Sequence, residues 1–205
     1  MPVSFGFAGG GPAWRLAELD VVEFTAGLDL PMAWRDRPRA TVGPPPPVGP
    51  VDQADGHIAL VVAVPLGRLT AEQAALLGDV GPAGQLAVTP WRTVVVPDLP
   101  RADIPGVAAD LDLAGLVLDP GSPWVGVSAC TGTPGCANSR ADVQADAARV
   151  LGRPGLPVHW AGCERRCGHP AGRHVDVLAV DGGYQVDGFD ADDLGSAVAG
   201  ARRTA

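Results

Sequence analysis

Apolar residues change their spacing along this chain, and the changes mark out its elements. IALVVAV, from Ile58 to Val64, is a near-continuous apolar run rich in β-branched residues, which predicts a strand covered on both faces. After PLGR comes LTAEQAALLGDVG, a predicted helix in which Thr70 followed by Gln73 makes a capping box and Gly78 or Gly81 a stop. Gln85 to Leu99 supplies one or two further strands, broken near Pro90. Ala102 to Gly115 reads as a helix starting at Ile104 or Pro105, and the apolar LVLD behind it as a last strand. The order β-α-β-α-(β) is that of half to all of a small ferredoxin-like unit.

A second unit begins near Trp124. WVGVSAC is a strand that delivers Cys130 at its end, and TGTPG is a loop. Asn138 to Gly152 is a helix with Ser139 as its cap, Asp142 in its first turn and Gly152 as its stop. LPVHWAG is another strand, leading to Cys163. Arg173 to Phe189 forms a hairpin around Asp181-Gly182-Gly183. Asp190 to Arg203 closes the chain as a helix, acidic at its start, with Arg202 and Arg203 at its end in accord with the helix dipole. Upstream the pattern is weak: Val21 to Phe24 reads as a short strand and RLAEL before it as a turn of helix. Thr41 to Gly56 is a proline-rich connector expected to be extended and poorly packed. The expected organisation is a leading segment and linker (1–56), a ferredoxin-like unit (57–121) and an α/β half-domain (122–205), an α+β fold.

Composition narrows the function. Hydrophobic residues at 46% supply a packed core, and 28 Gly with 21 Pro favour short elements and many turns. A net charge of −8 argues against a nucleic-acid partner, which needs a concentrated basic surface. All 15 basic residues are Arg, a bias that a GC-rich genome explains, so no lysine can form a Schiff base. No apolar run reaches the ~18 residues of a membrane span. The first residues lack the pattern of a secretory signal. The expectation is a cytoplasmic protein in a reducing compartment, where paired thiols serve more often as metal ligands than as disulfides.

All four cysteines fall in two pairs, Cys130/Cys136 spaced C-x5-C and Cys163/Cys167 spaced C-x3-C. Both pairs leave strand ends and enter Gly-rich loops, where a chain can fold its thiolates around one centre. Four thiolates suit either a tetrahedral zinc or a cubane 4Fe-4S cluster. Zinc knuckles keep about two to four residues between ligands, so the wider gap fits a cubane better; a disulfide pair and inert buried thiols are the plain alternatives. The helix start at Asn138–Ser139 is expected to aim N–H groups at Cys136, and Arg165 and Arg166 to offset cluster charge. Of His57, His159, His169 and His174, only His169 stands near the expected centre in sequence, and it reads chiefly as a surface-loop residue. Asp142 and Asp146, four apart, imitate a catalytic acid pair, but solvation and helix placement explain them.

C-x5-C, a gap of 26 residues containing a helix, then G-C-x3-C resembles the siroheme/4Fe-4S half-domain of nitrite and sulfite reductases. Within that superfamily the chain is most similar to precorrin-3B synthases, through VPLGRLTAEQ, LAVTPWRTVVVP, ACTGTPGCANSRADVQADA and VHWAGCERRC, over about Ile58 to Gly188. The resemblance implies that Cys130, Cys136, Cys163 and Cys167 ligate a 4Fe-4S cluster and that Cys167 bridges to a haem iron. It places Arg92 of TPWR toward the tetrapyrrole, where a guanidinium would pair with a substrate carboxylate; a solvated strand-end charge is the alternative. The implied function is an oxidoreductase of cobalamin biosynthesis that hydroxylates precorrin-3A with O2, fed by an unidentified electron donor, with siroheme or a non-haem iron as a further cofactor. The alternatives are siroheme-dependent reduction of nitrite or sulfite, and a 4Fe-4S electron-transfer subunit whose partner chain supplies a first repeat. Three departures stand out: only a remnant precedes the second of the family's two repeats, Arg166 replaces a small residue before the last cysteine, and no lysine is available for an anion site.

Overall fold

The computed structural model describes residues 45–81 and 85–203. The strand and helical turn expected within residues 15–24 lie outside them. From Pro44 onward the chain forms one compact unit built on two sheets. No helix among the described residues is long and apolar enough to cross a membrane.

The first sheet is antiparallel. β2 (Ile58–Ala63) is its centre, flanked by β1 (Gly49–Asp52) and β4 (Thr93–Leu99), with the two-residue β3 (Ala87–Val88) at the far edge. Leu60, Val61 and Val62 are all buried, as the apolar run predicts for a strand covered on both faces. α1 (Ala71–Val80) starts at the Thr70–Gln73 capping box, each partner bonding the other's backbone N–H. α2 (Ile104–Leu113) starts with Pro105 in its first turn. Leu77 and Leu111 seat these helices on Leu60, Val62, Val94 and Val96 in one core. This is the expected α+β, ferredoxin-like arrangement.

Two details differ from expectation. β1 lies inside the proline-rich stretch: Gly49 to Asp52 pair with Val61 to Ile58, and Pro50 sits in the ladder opposite Leu60, on an edge strand where a missing N–H is tolerated. LVLD forms no strand. Val117 exchanges one pair of hydrogen bonds with Ala63, and the chain then turns, with Asp119 accepting the N–H of Gly121.

The second sheet runs β5 (Val127–Ala129), β6 (Val158–Ala161), β7 (Val175–Val180), β8 (Gly183–Val186) and β9 (Phe189–Asp190). β5, β6 and β7 are parallel, and β7, β8 and β9 are antiparallel. α3 (Val143–Arg149) and α4 (Leu194–Arg203) cover this sheet, with Val143, Ala147 and Val198 packed on Val158, Trp160 and Val177. The expected helix over 138–152 begins late. Asp142, not Ser139, is its cap, accepting the N–H of Ala145, while the Ser139 hydroxyl donates to Ala141 and Arg140 N–H is taken by Gly162 across the loops. The closing helix likewise starts at Leu194, so the acids precede it.

Arg202 is not a solvated helix-end charge. It is 3% exposed, and its guanidinium donates to the carbonyls of Leu156, Leu151 and Pro123. A fork of donors reaching three loops is a use of arginine that lysine cannot copy. The two sheets join where Leu66 packs into the second core and Arg68 bonds Gln144.

Candidate functional site

Parallel strands β5 and β6 end side by side, and each runs directly into a cysteine loop. The crevice beyond the carboxyl ends of parallel strands is where α/β sheets place their ligands. Cys130 follows β5, donating its N–H to Trp160 at 2.9 Å. Cys163 lies two residues past β6.

Gly162 holds the two loops together. Its N–H donates to Cys130 Sγ at 3.1 Å, and its carbonyl accepts Arg140 N–H at 2.9 Å. A Cβ on Gly162 would lie 1.9 Å from Ser139 Oγ and 2.8 Å from Ser139 Cβ, so only glycine allows this approach. The loop that carries Cys130 and Cys136 is therefore clasped against the loop that carries Cys163 and Cys167. Gln144 donates to the Cys130 carbonyl at 3.0 Å and steadies the first loop from α3.

All four thiols are free of disulfides; Cys130, Cys136 and Cys163 are half-buried and Cys167 is exposed. The structure brings Cys130 and Cys163 onto adjacent strand ends, while Cys136 and Cys167 sit farther along their loops. Among the described residues, no three His, Cys, Asp or Glu side chains gather as ligands of a single ion. Thiolates spread over two clasped loops suit a cage of several irons, and a backbone N–H on a cysteine sulfur stabilises its thiolate form. The donor set thus fits a 4Fe-4S cluster.

Arg166 is held by Asp176, its Nε 2.7 Å from Oδ2, so this guanidinium is already neutralised within the protein. That differs from the expected role of offsetting cluster charge. Arg92 enters the same end from the first sheet. It has a left-handed backbone (φ 59°), its stem lies 3.1 Å from where a Cβ on Gly67 would be, and its charge reaches His159. Asp146 bonds Arg149 and the Tyr184 hydroxyl, and Asp142 caps its helix, so neither acts as a free acid.

The histidines correct the sequence reading. His159 and His174 join His169 at this end: the rings of His159 and His174 are 6.4 Å apart, edge to face, and those of His169 and His174 are 5.9 Å apart, stacked. His159 is wholly buried, bonded through Nδ1 to Ser128 Oγ at 2.9 Å, and its Cε1 faces Gly168, the residue after Cys167. Burial first, then the neighbouring charges of His174 and Arg92, push its pKa down to about 4, against the opposing pull of Asp176. Sequence alone offered one signal: His159 sits within LPVHWAG, a largely apolar stretch that reads as a strand.

Residues 51–114 match the nitrite/sulfite reductase ferredoxin-like half domain. The assimilatory ferredoxin-dependent nitrite reductase of Haloferax mediterranei is 26% identical over 162 residues, covering 72% of this chain and 28% of that protein. The ferredoxin–nitrite reductase of Synechococcus elongatus is 28% identical over 142 residues, covering 62% of this chain and 28% of the relative. The solved structure of the Mycobacterium tuberculosis NirA protein shares the fold, with a TM-score of 0.50 at 23% identity over 68% of this chain and 29% of its own. The chain spans less than a third of the length of these relatives.

Gly162→Ala is expected to push the two loops apart, costing about 1–3 kcal/mol in urea unfolding; stability equal to the parent would contradict the clasp. The second prediction concerns pH. His159 is neutral in the folded chain to about pH 4 but protonates near its ordinary 6.5 when unfolded. The unfolded state then binds more protons in that window, so stability falls as pH drops from 6.5 toward 4, by up to about 3 kcal/mol from this group. Denaturant titrations across the window should show a shallower fall in His159→Phe; parallel curves would mean that His159 charges in the native state.

Proposed function

We propose that this chain, whose residues 51–114 match the nitrite/sulfite reductase ferredoxin-like half domain and which is similar to two nitrite reductases, is the iron–sulfur module of a siroheme-type enzyme reducing nitrite or sulfite. The observation that carries the reading is the pair of cysteine loops clasped at Gly162 beyond parallel strands β5 and β6. The named relatives are nitrite reductases, which favours this reading over hydroxylation of precorrin-3A.

Cys130, Cys136, Cys163 and Cys167 would hold a 4Fe-4S cluster, and Cys167, the most exposed of the four, would face a siroheme. Such cofactors supply one-electron transfer that side chains cannot. The remaining work falls to the protein's own groups. Gly162 N–H favours the thiolate form of Cys130. Asp176 neutralises Arg166 and anchors the second loop. Neutral His159 adds no charge beneath that loop. Arg92 offers a guanidinium on the same side, suited to a carboxylate of a tetrapyrrole. The rest of the substrate site would come from sequence that the chain does not match in its longer relatives, in the same polypeptide or in a partner chain, and electrons from a soluble donor.

The test is anaerobic reconstitution with iron and sulfide, addition of siroheme, and assay with a reduced viologen. Nitrite or sulfite consumption that depends on siroheme, and is lost in Cys163→Ser, is expected once the complementary half is added. O2-dependent hydroxylation of precorrin-3A without consumption of either anion would overturn the reading in favour of a precorrin-3B synthase-type reaction.

A further inference from the structure

Among the described residues, two buried side-chain atoms lack a hydrogen-bond partner: His159 Nε2 and Asp176 Oδ1. An unmet buried polar atom costs about 1–3 kcal/mol, so two in one place call for a shared explanation. They do share a place. His159 on β6 and Asp176 on β7 are register partners in a parallel pair. Their backbones are therefore ~4.8 Å apart and their side chains leave the same face of the sheet. That face lies under the second cysteine loop, since Asp176 binds Arg166 and His159 looks toward Gly168.

Proton positions decide what can lie between them. The Ser128 hydroxyl has one hydrogen and two acceptors in reach, the Val158 carbonyl at 3.3 Å and His159 Nδ1 at 2.9 Å; given to the carbonyl, it leaves Ser128 Oγ to accept from an Nδ1–H. With Nδ1 protonated in a neutral ring, Nε2 presents a lone pair. Asp176 uses Oδ2 on Arg166, and Oδ1 is likewise an acceptor. Two acceptors cannot satisfy each other. With Nδ1 holding the neutral ring's proton, direct pairing would require a second one, which burial, His174, Arg92 and His169 oppose and only Asp176 favours; the other neutral tautomer, with the Ser128 hydroxyl turned to Nδ1, would carry an Nε2–H instead.

We propose that one resident water donates a hydrogen to each atom, completing a hydrogen-bonded line Ser128–His159–water–Asp176–Arg166. Buried waters characteristically fill such positions, where several polar atoms would otherwise go unmet. The line crosses β5, β6 and β7. It ties a residue two before Cys130 to one immediately before Cys167, and so sets the spacing of the two cysteine loops. His159 is thereby a positioning residue. Its bearing on cofactor binding rests on the function proposed above, but the water and the tautomer do not.

A crystal structure of the full chain that resolves ordered water, with long-range 1H–15N NMR of the histidine rings near neutral pH, tests the line irrespective of iron content. The expected result is an Nδ1–H tautomer for His159 and a water within hydrogen-bond distance of both His159 Nε2 and Asp176 Oδ1. In His159→Phe the water loses the Nε2 lone pair that it joins to Asp176 and should be lost. A doubly protonated His159, a direct Nε2–H bond to Asp176, or a water that persists unchanged in His159→Phe would each overturn the proposal.

Discussion

A single glycine carries the contact on which the rest of the site depends. Gly162 ends β6, gives its N–H to the sulfur of Cys130 and its carbonyl to Arg140, and leaves its missing side chain's space to Ser139. Each contact joins the loop after β5 to the loop after β6. Without them, the two cysteine pairs would be carried by separate loops. The parallel pairing of β5 with β6 makes the approach possible, because it aligns two strand ends pointing the same way.

Around this clasp the chain arranges charge with economy. Arg166, the basic residue nearest Cys167, is neutralised by Asp176, and His159 below it is kept neutral by burial and by adjacent positive groups. A further guanidinium, that of Arg92, arrives at this end from the other sheet. The fold supports this division. One sheet supplies the thiol loops, the other projects Arg92, and Arg68 with Gln144 stitches the first sheet's loop to the helix that steadies Cys130.

Much of this was legible in residue order, and the parts that were not share a cause. Local signals held: the capping box at Thr70, the apolar run of β2, and the break near Pro90 all act within a few residues. Pairing partners did not announce themselves. β1 hid behind a proline run because its partners, Ile58 to Val61, lie across a turn rather than beside it in sequence. Ser139 looked like a cap until Gly162 drew the chain around it out of helical geometry. Arg202 looked like a dipole partner, yet it binds carbonyls about fifty to eighty positions upstream. His159 was indistinguishable from a core residue because its importance comes from Ser128, Asp176 and Gly168, which only the folded sheet assembles.

The central claim is that the clasped loops hold four thiolates around one iron–sulfur cage. Mössbauer spectroscopy of the full chain reconstituted anaerobically with 57Fe, alongside acid-labile sulfide analysis, addresses it most directly. The account predicts about four irons and four sulfides per chain in a single cubane signal. Mononuclear iron without sulfide, or a preference for zinc under the same conditions, would contradict it.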